Sequence, residues 1–194
     1  MSQKEKRNTH NKQEVILQAA LELFTERGFH GTAMPLVAER ANVGMGTIYR
    51  YFQSKEALVN RLYQKLKNEC YDVVMKNFPF KAPIREQFHE FWYRIIIYYI
   101  ENPLAFSFCE LHYHLPYLDE ISLRLQSKFL EPIIALFEQA KKEQIIKNLP
   151  SALLISIVHG AMVAIIKNGQ DGKFELTPEV VEQAENCCWE AIHL

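Results

Sequence analysis

Three clusters in the 194-residue sequence carry groups able to do chemistry. The first is Gly44-Met45-Gly46-Thr47-Ile48-Tyr49-Arg50-Tyr51, followed by Lys55. It offers hydroxyls, a guanidinium and an ammonium, the donors that serve phosphate oxygens and base edges, and a thioether able to meet a thymine methyl. The second is Cys109-Glu110-Leu111-His112-Tyr113-His114. These are metal-ligand types, but Glu110 and His114 share a helix face at i, i+4 while His112 points elsewhere. A hydrogen-bonded cluster, or a polar anchor for an apolar ligand, is the reading, and no metal is assigned. The third is Cys187-Cys188, where packing is expected because adjacent cysteines rarely form a relaxed disulfide. The sequence holds no G-x-S-x-G, P-loop, H-E-x-x-H or dinucleotide fingerprint, so neither an enzyme nor a cofactor is expected.

The elements that must position these groups read as helices almost throughout. Ile16, Ala19, Ala20, Leu23 and Phe24 lie on one helical face, and Gly28 stands in a C′ position. Thr32 is a candidate N-cap for a short second helix with Pro35 in its first turn, ending near Ala41. Another short helix runs to about Phe52, and Ser54 caps a longer one carrying Leu58, Leu62 and Leu66. Pro79 and Pro83 bracket a break, and Asn102-Pro103 and Leu115-Pro116 bound the next helices. Pro132 predicts a kink or a division within a segment from about Leu118 to Ile146. Pro150 opens the following helix, Gly169-Gln-Asp-Gly172 is a turn, and Thr177-Pro178-Glu179 starts the last helix. The run Ile95-Ile96-Ile97 is β-branched but sits in a helix-period segment, so it is read as helix. The count is about nine helices in an all-α chain, with the first dozen residues as a flexible polar arm.

The first cluster lies on the second of two short helices meeting at a tight turn. Ala38 is small enough for close approach, and Asn42 tolerates a left-handed backbone. Val37, Ala41, Val43 and Ile48 supply apolar contacts. This is the outline of a helix-turn-helix whose second helix enters the DNA major groove. Many helical hairpins have Ala and Asn near a turn, so the pattern alone leaves a plain hairpin open beside DNA binding.

The run from Ile16 to Leu62 resembles the TetR family of bacterial transcriptional regulators. The matching residues are Ile16-x-x-Ala-Ala-x-x-Leu-Phe24, Glu26-Arg-Gly-Phe29, Gly31-Thr32, Val37-Ala38, Ala41-Asn-Val43, Gly46-Thr-Ile-Tyr49, Tyr51-Phe52 and Ser54-Lys-Glu-x-Leu58. The resemblance implies a three-helix DNA-binding head over residues 1–56 and a larger helical effector-binding and dimerisation domain over 57–194. It implies a homodimeric regulator, read as a repressor released from a palindromic double-stranded operator by a small, largely apolar or aromatic effector. The expected DNA contacts are Thr32, Gly44, Met45, Gly46, Thr47, Tyr49, Arg50, Tyr51 and Lys55, with Ile48 and Phe52 as core. Lys55, at a helix start, is expected on phosphate. Where Gly44 stands the family usually has a small hydroxyl residue, and where Met45 stands often a polar or basic one, so an atypical sequence preference is expected.

Beyond residue 60 the fit is architectural. The aromatic-rich middle supplies candidate effector contacts in Phe88, Trp92, Tyr99 and Phe108, with Glu110, His112, Tyr113 and His114 as polar groups. Small residues on the last two helices, Gly160, Ala161 and Ala164, then Val180, Val181, Ala184, Cys187, Cys188 and Ala191, are the candidate dimer face. Alternatives are packing of those helices within one chain, a DNA-binding accessory protein without an effector, and, least, a helical enzyme.

Net charge is −1, from 22 Lys+Arg and 23 Asp+Glu, which at first sight disfavours nucleic acid. Split at Asn60, the first part carries 8 basic and 6 acidic residues and the remainder 14 and 17, a weakly basic head on a weakly acidic body. DNA affinity must then come from a few placed groups and from two heads. Apolar residues make up 48%, and no uninterrupted apolar run approaches the ~18 residues of a membrane span, so no membrane partner is expected. With no signal sequence, and four cysteines that show no C-x-x-C spacing and suggest no disulfide framework, the cytoplasm is the expected compartment.

Overall fold

The computed structural model describes residues 3–111 and 115–194, with side chains from residue 12 onward, Leu115 excepted. Among these residues there are nine α-helices: α1 (Gln3–Gly31), α2 (Met34–Arg40), α3 (Met45–Tyr51), α4 (Lys55–Met75), α5 (Ile84–Glu101), α6 (Pro103–Phe106), α7 (Glu120–Lys142), α8 (Ser151–Gln170) and α9 (Pro178–Ile192). A π-helical turn, Ser107–Leu111, follows α6, and a 3-10 turn, Leu115–Tyr117, precedes α7. The all-α reading holds.

The chain divides into two compact units, and neither is continuous in sequence. The first joins Met1–Asn68 to Pro103–Leu125; the second joins Glu69–Asn102 to Gln126–Leu194. The sequence reading had drawn a single cut after residue 56.

In the first unit the apolar stripe of α1 is fully buried, with Ile16, Ala20 and Phe24 at 0% exposure. Phe24 meets Phe108 with ring centres 6.1 Å apart. α1 is interrupted at Gly28 (φ 67°, ψ −179°), a conformation only glycine adopts freely, and one more turn follows. The polar arm expected before it differs in the structure: α1 begins at Gln3, in a stretch free of Gly and Pro. Thr32 does not cap α2. Ala33 occupies the N-cap, and the Thr32 hydroxyl donates back to the carbonyls of Leu23 (3.0 Å) and Gly28 (2.9 Å). The Gly28 carbonyl loses its helical partner at the break, since Thr32 N goes to Phe29 O instead, and it takes the hydroxyl. Ser54 does cap α4, accepting from Ala57 N at 3.1 Å.

In the second unit Trp92, Ile96, Leu154, Ile166, Val181 and Ile192 are buried. Each such side chain contributes roughly 1.5–3 kcal/mol of hydrophobic stabilisation. α7 runs through Pro132 without dividing. The carbonyl freed by the missing N–H belongs to Lys128, an exposed residue where water can serve it. Gly169 is required by a close approach: a Cβ there would lie 2.4 Å from Leu176. Thr177 caps α9, accepting from Val180 N at 3.3 Å. Buried Glu185 on α9 accepts from Arg85 on α5 at 2.6 and 3.0 Å. The C-terminus is tied back by Lys147 N to Ile192 O at 2.8 Å and Leu194 N to Ile145 O at 3.2 Å.

Candidate nucleic-acid interface

The α2–α3 turn is made by local forces. Asn42 adopts the left-handed region at φ 50°, where its short polar side chain is tolerated. Val43 N then reaches Ala38 O at 2.9 Å, closing the turn onto α2. Val37, Ala38, Ala41, Ile48 and Phe52 are buried at 5% exposure or less and lock the two helices together.

Once Ile48 faces inward, helical periodicity fixes the rest of α3. Gly46 and Arg50, at i−2 and i+2, point away from the core, and Thr47 and Tyr49 flank them. Gly44, Gly46, Tyr49 and Arg50 are exposed, Tyr49 to 49%, whereas Met45, Thr47 and Tyr51 are half-buried. Arg50 folds onto Tyr51, with Nη2 donating to the hydroxyl at 3.2 Å and the guanidinium 5.1 Å from the ring centre.

Gly44 is the N-cap of α3 and supplies no side-chain cap. Its φ of −70° suits any residue, and a Cβ on Gly44 or Gly46 would meet nothing within 4 Å. Neither glycine is demanded by the protein's own packing. Glu56, in the first turn of α4, has its carboxyl held below the usual range by its own backbone N–H and by Ser54.

Two expected contacts are differently employed. Thr32 is fully buried with its hydroxyl turned inward, so its side chain does not face a phosphate. The Lys55 ammonium donates to Phe29 O at 2.8 Å and Thr32 O at 3.0 Å and lies 4.1 Å from the Phe29 ring centre. It serves the C-terminal carbonyls of α1, which attract a cation as readily as a phosphate would.

Sequence reasoning missed two polar fastenings in this unit. Arg40, ending α2, forks onto Glu26 (3.1 Å twice) and Glu22 (3.1 Å) on α1. The Glu26 carboxyl is lowered by this hydrogen bonding and the guanidinium raised. Asn60 on α4, 6% exposed, uses all four of its hydrogen-bonding positions. Its amide donates to Glu56 O (2.9 Å) and Tyr117 O (2.7 Å), and its oxygen accepts from Asp119 N (2.8 Å) and Ser122 Oγ (2.7 Å). Asp119 caps α7 through Ser122 N at 2.8 Å, a pattern of Asp three residues ahead of Ser that the sequence displays.

Of the candidate effector contacts, Phe88, Trp92 and Tyr99 are buried in the second unit, and Phe108 and Glu110 belong to the first. Glu110 is paired with Lys67 at 2.8 Å, both side chains at most 12% exposed. His112, Tyr113 and His114 lie outside the described residues. The second unit contains a narrow apolar crevice, too small to admit water, lined by Ile84, Phe88, Leu136, Phe137, Ile146 and Trp189, among others.

The candidate dimer residues split. Gly160 and Ala164 on α8 and Cys187 and Ala191 on α9 are exposed; Ala161, Val180 and Ala184 are half-buried. Val181 (1%) and Cys188 (5%) are not on that surface. They pack inside the chain, because α9 carries small apolar residues on more than one face, and burial pushes the Cys188 thiol up. The sequence reading missed Leu153 (47% exposed) and Ile157 (41%), which extend the α8 stripe to Leu153-Ile157-Gly160-Ala164. By length and composition α8 is apolar enough to cross a membrane, with 22% of that stretch buried.

Comparison with known proteins accounts for residues 16–194. Residues 16–62 match the family described as bacterial regulatory proteins, tetR family, and residues 60–194 match the tetracyclin repressor-like C-terminal domain. The chain belongs to the TetR family. A curated relative from Haemophilus influenzae, an uncharacterised HTH-type transcriptional regulator, is 26% identical over 179 residues, 92% of this chain and 94% of its own. A TetR-family transcription regulator from Marinobacter aquaeolei has a crystal structure that superposes with a TM-score of 0.85 at 22% identity, covering 98% of each chain. A TetR-family regulator from Vibrio parahaemolyticus gives 0.76 at 27% identity, covering 94% of this chain and 99% of that one. As a TetR-family protein the chain is a helix-turn-helix transcriptional regulator that binds DNA, and its relatives are named as regulators rather than enzymes.

Proposed function

We propose that this TetR-family chain is a cytoplasmic, homodimeric repressor that reads a palindromic operator through α3 and leaves it on binding a small, largely apolar effector. The observation that carries the DNA reading is the outward face of α3. Gly46, Tyr49 and Arg50 face solvent with Thr47 half-exposed beside them, and Gly44 and Gly46 leave open ground that no internal contact requires. Within α3, Gly46 is a cost of roughly 0.5–1 kcal/mol, offset when a partner's backbone must come close.

The dimer reading is supported by matching spacing on two helices of one unit. Leu153, Ile157, Gly160 and Ala164 on α8 repeat at i, i+4, i+7 and i+11, as do Val180, Ala184, Cys187 and Ala191 on α9. Two such stripes per protomer make a four-helix interface, and a two-fold dimer places two copies of α3 about one DNA turn apart. An effector reading is supported by the aromatic side chains Phe88, Trp92 and Tyr99, buried together in the second unit and of the kind that lines apolar ligand sites.

One observation favours a second reading, a DNA-binding accessory protein without an effector. The apolar crevice beside Phe88 and Trp189 leaves no room even for a water molecule, well short of the ~300 Å³ at which small-molecule sites begin.

Selection of bound duplexes from random DNA tests the main reading. A palindromic consensus with half-sites about one turn apart is the expected result, and recovery of no consensus refutes it. With that duplex in hand, a screen of apolar acids and aromatic compounds for operator release separates the two readings.

A further inference from the structure

Two stretches far apart in the sequence sandwich the Phe29 ring. Tyr117 stacks on it with ring centres 3.7 Å apart and planes within 13°. The Lys55 ammonium lies 4.1 Å from the same centre. Both are too close to share a face, so the order is Tyr117, Phe29, Lys55. The ammonium is further bound to the carbonyls of Phe29 and Thr32, joining the first residue of α4 to the turn between α1 and α2. α3 lies between those two points in the chain, so this joint closes the loop of chain that carries α3.

Tyr117 is itself held at both ends. Its hydroxyl meets His30 Nε2 at 2.8 Å, and its carbonyl accepts from the Asn60 amide at 2.7 Å. Gln64, one turn beyond Asn60, donates to buried Ser122 Oγ at 3.0 Å, so α4 grips residues 117–122 at several points.

We propose that Tyr117 is a positioning residue for operator binding: through Phe29 it fixes the Lys55 joint, and the head reads DNA correctly only with residues 117–122 seated. This rests on the operator reading above. It assigns a DNA-binding role to a residue outside the helix-turn-helix, and it turns the Lys55 ammonium from a phosphate contact into part of the frame.

The test uses the full-length protein and the duplex that wild type enriches from random DNA, at a temperature where circular dichroism shows each variant folded. Tyr117→Leu, which removes the ring stack, is expected to lower affinity for that duplex at least tenfold. Tyr117→Phe keeps the stack and loses only the hydroxyl, and is expected to stay within threefold of wild type. A purely structural role would lower the melting temperature of both variants without this split in affinity. Because the effect runs through one stack, Tyr117→Leu combined with Lys55→Met should lose no more than the worse single variant, whereas independent roles multiply. If Tyr117→Leu does not fold, Asn60→Asp removes the amide bond to the Tyr117 carbonyl and should cost at least fivefold. Tyr117→Leu, or in its place Asn60→Asp, at wild-type affinity overturns this inference alone. Failure of wild type to enrich any duplex overturns the operator reading and this inference with it.

Discussion

Replacing Gly46 by alanine sets stability and function against each other. Gly46 is the second residue of α3, it is exposed, and a Cβ there meets nothing within 4 Å. The fold should therefore gain from Gly46→Ala, by about 0.5–1 kcal/mol through reduced chain entropy and better helix propensity. In a chain of this length that raises the melting temperature by roughly 1–4 °C. Bound DNA should respond the other way. The Cβ projects opposite Ile48, where backbone and phosphate or base edge approach. Losing one charged-acceptor hydrogen bond there costs about 1.5 kcal/mol per head. Two heads lose about 3 kcal/mol, a roughly hundredfold weaker Kd. Thermal melting and fluorescence anisotropy with the enriched duplex read the two effects separately. A higher melting temperature with unchanged affinity would refute the claim that Gly46 serves a close approach. A lower melting temperature would refute the open space around it.

Gly44→Ser restores the hydroxyl that the family pattern usually has. Its φ of −70° and ψ of 148° are those of an N-cap, so α3 should gain a few tenths of a kcal/mol and operator affinity should rise severalfold. Weaker binding by anisotropy would show that the space is already filled by DNA. Ile157→Glu puts a charge in the α8 stripe at a position 41% exposed in the protomer. Protomer stability should change by no more than about 0.5 kcal/mol, while sedimentation should show monomers; a persistent dimer refutes the interface. Arg85→Ala leaves the buried Glu185 carboxylate, 2% exposed, without its main partner, and should cost about 3–5 kcal/mol in denaturant unfolding. Glu185→Gln leaves Arg85, at 38% exposed, able to reach water, and should cost less. The reverse order would refute this account of the pair.

What the sequence made legible follows the range of the forces involved. Asn42, Ser54 and Thr177 act within three or four residues, so the turn and both caps could be read from local pattern. The inward Ile48 and outward Arg50 follow from helix period alone. Thr32 was misread because one hydroxyl had two possible employers, the start of α2 and the carbonyl freed at Gly28, and only the fold decides between them. Lys55 has the same ambiguity with charge, since α1 carbonyls and a phosphate present similar targets. The Asn60 fastening joins residues 57 to 62 positions apart, beyond any periodicity argument. Val181 and Cys188 were assigned to the surface because small apolar residues look alike on either face of α9, and the partner helix chooses between them.

The split course of the first unit has a consequence for how the protein is made. Its opening 68 residues reach solvent from the ribosome well before residues 103–125 do. At roughly 5–20 residues per second, the 57 residues from 68 to 125 take about 3–11 s to emerge. During that interval Asn60 has neither Tyr117 nor Ser122, and one face of the Phe29 ring is bare. A nascent head is thus unfinished while its chain is still being translated. Residues as far as 125 must exist before the DNA-reading surface has its complete support.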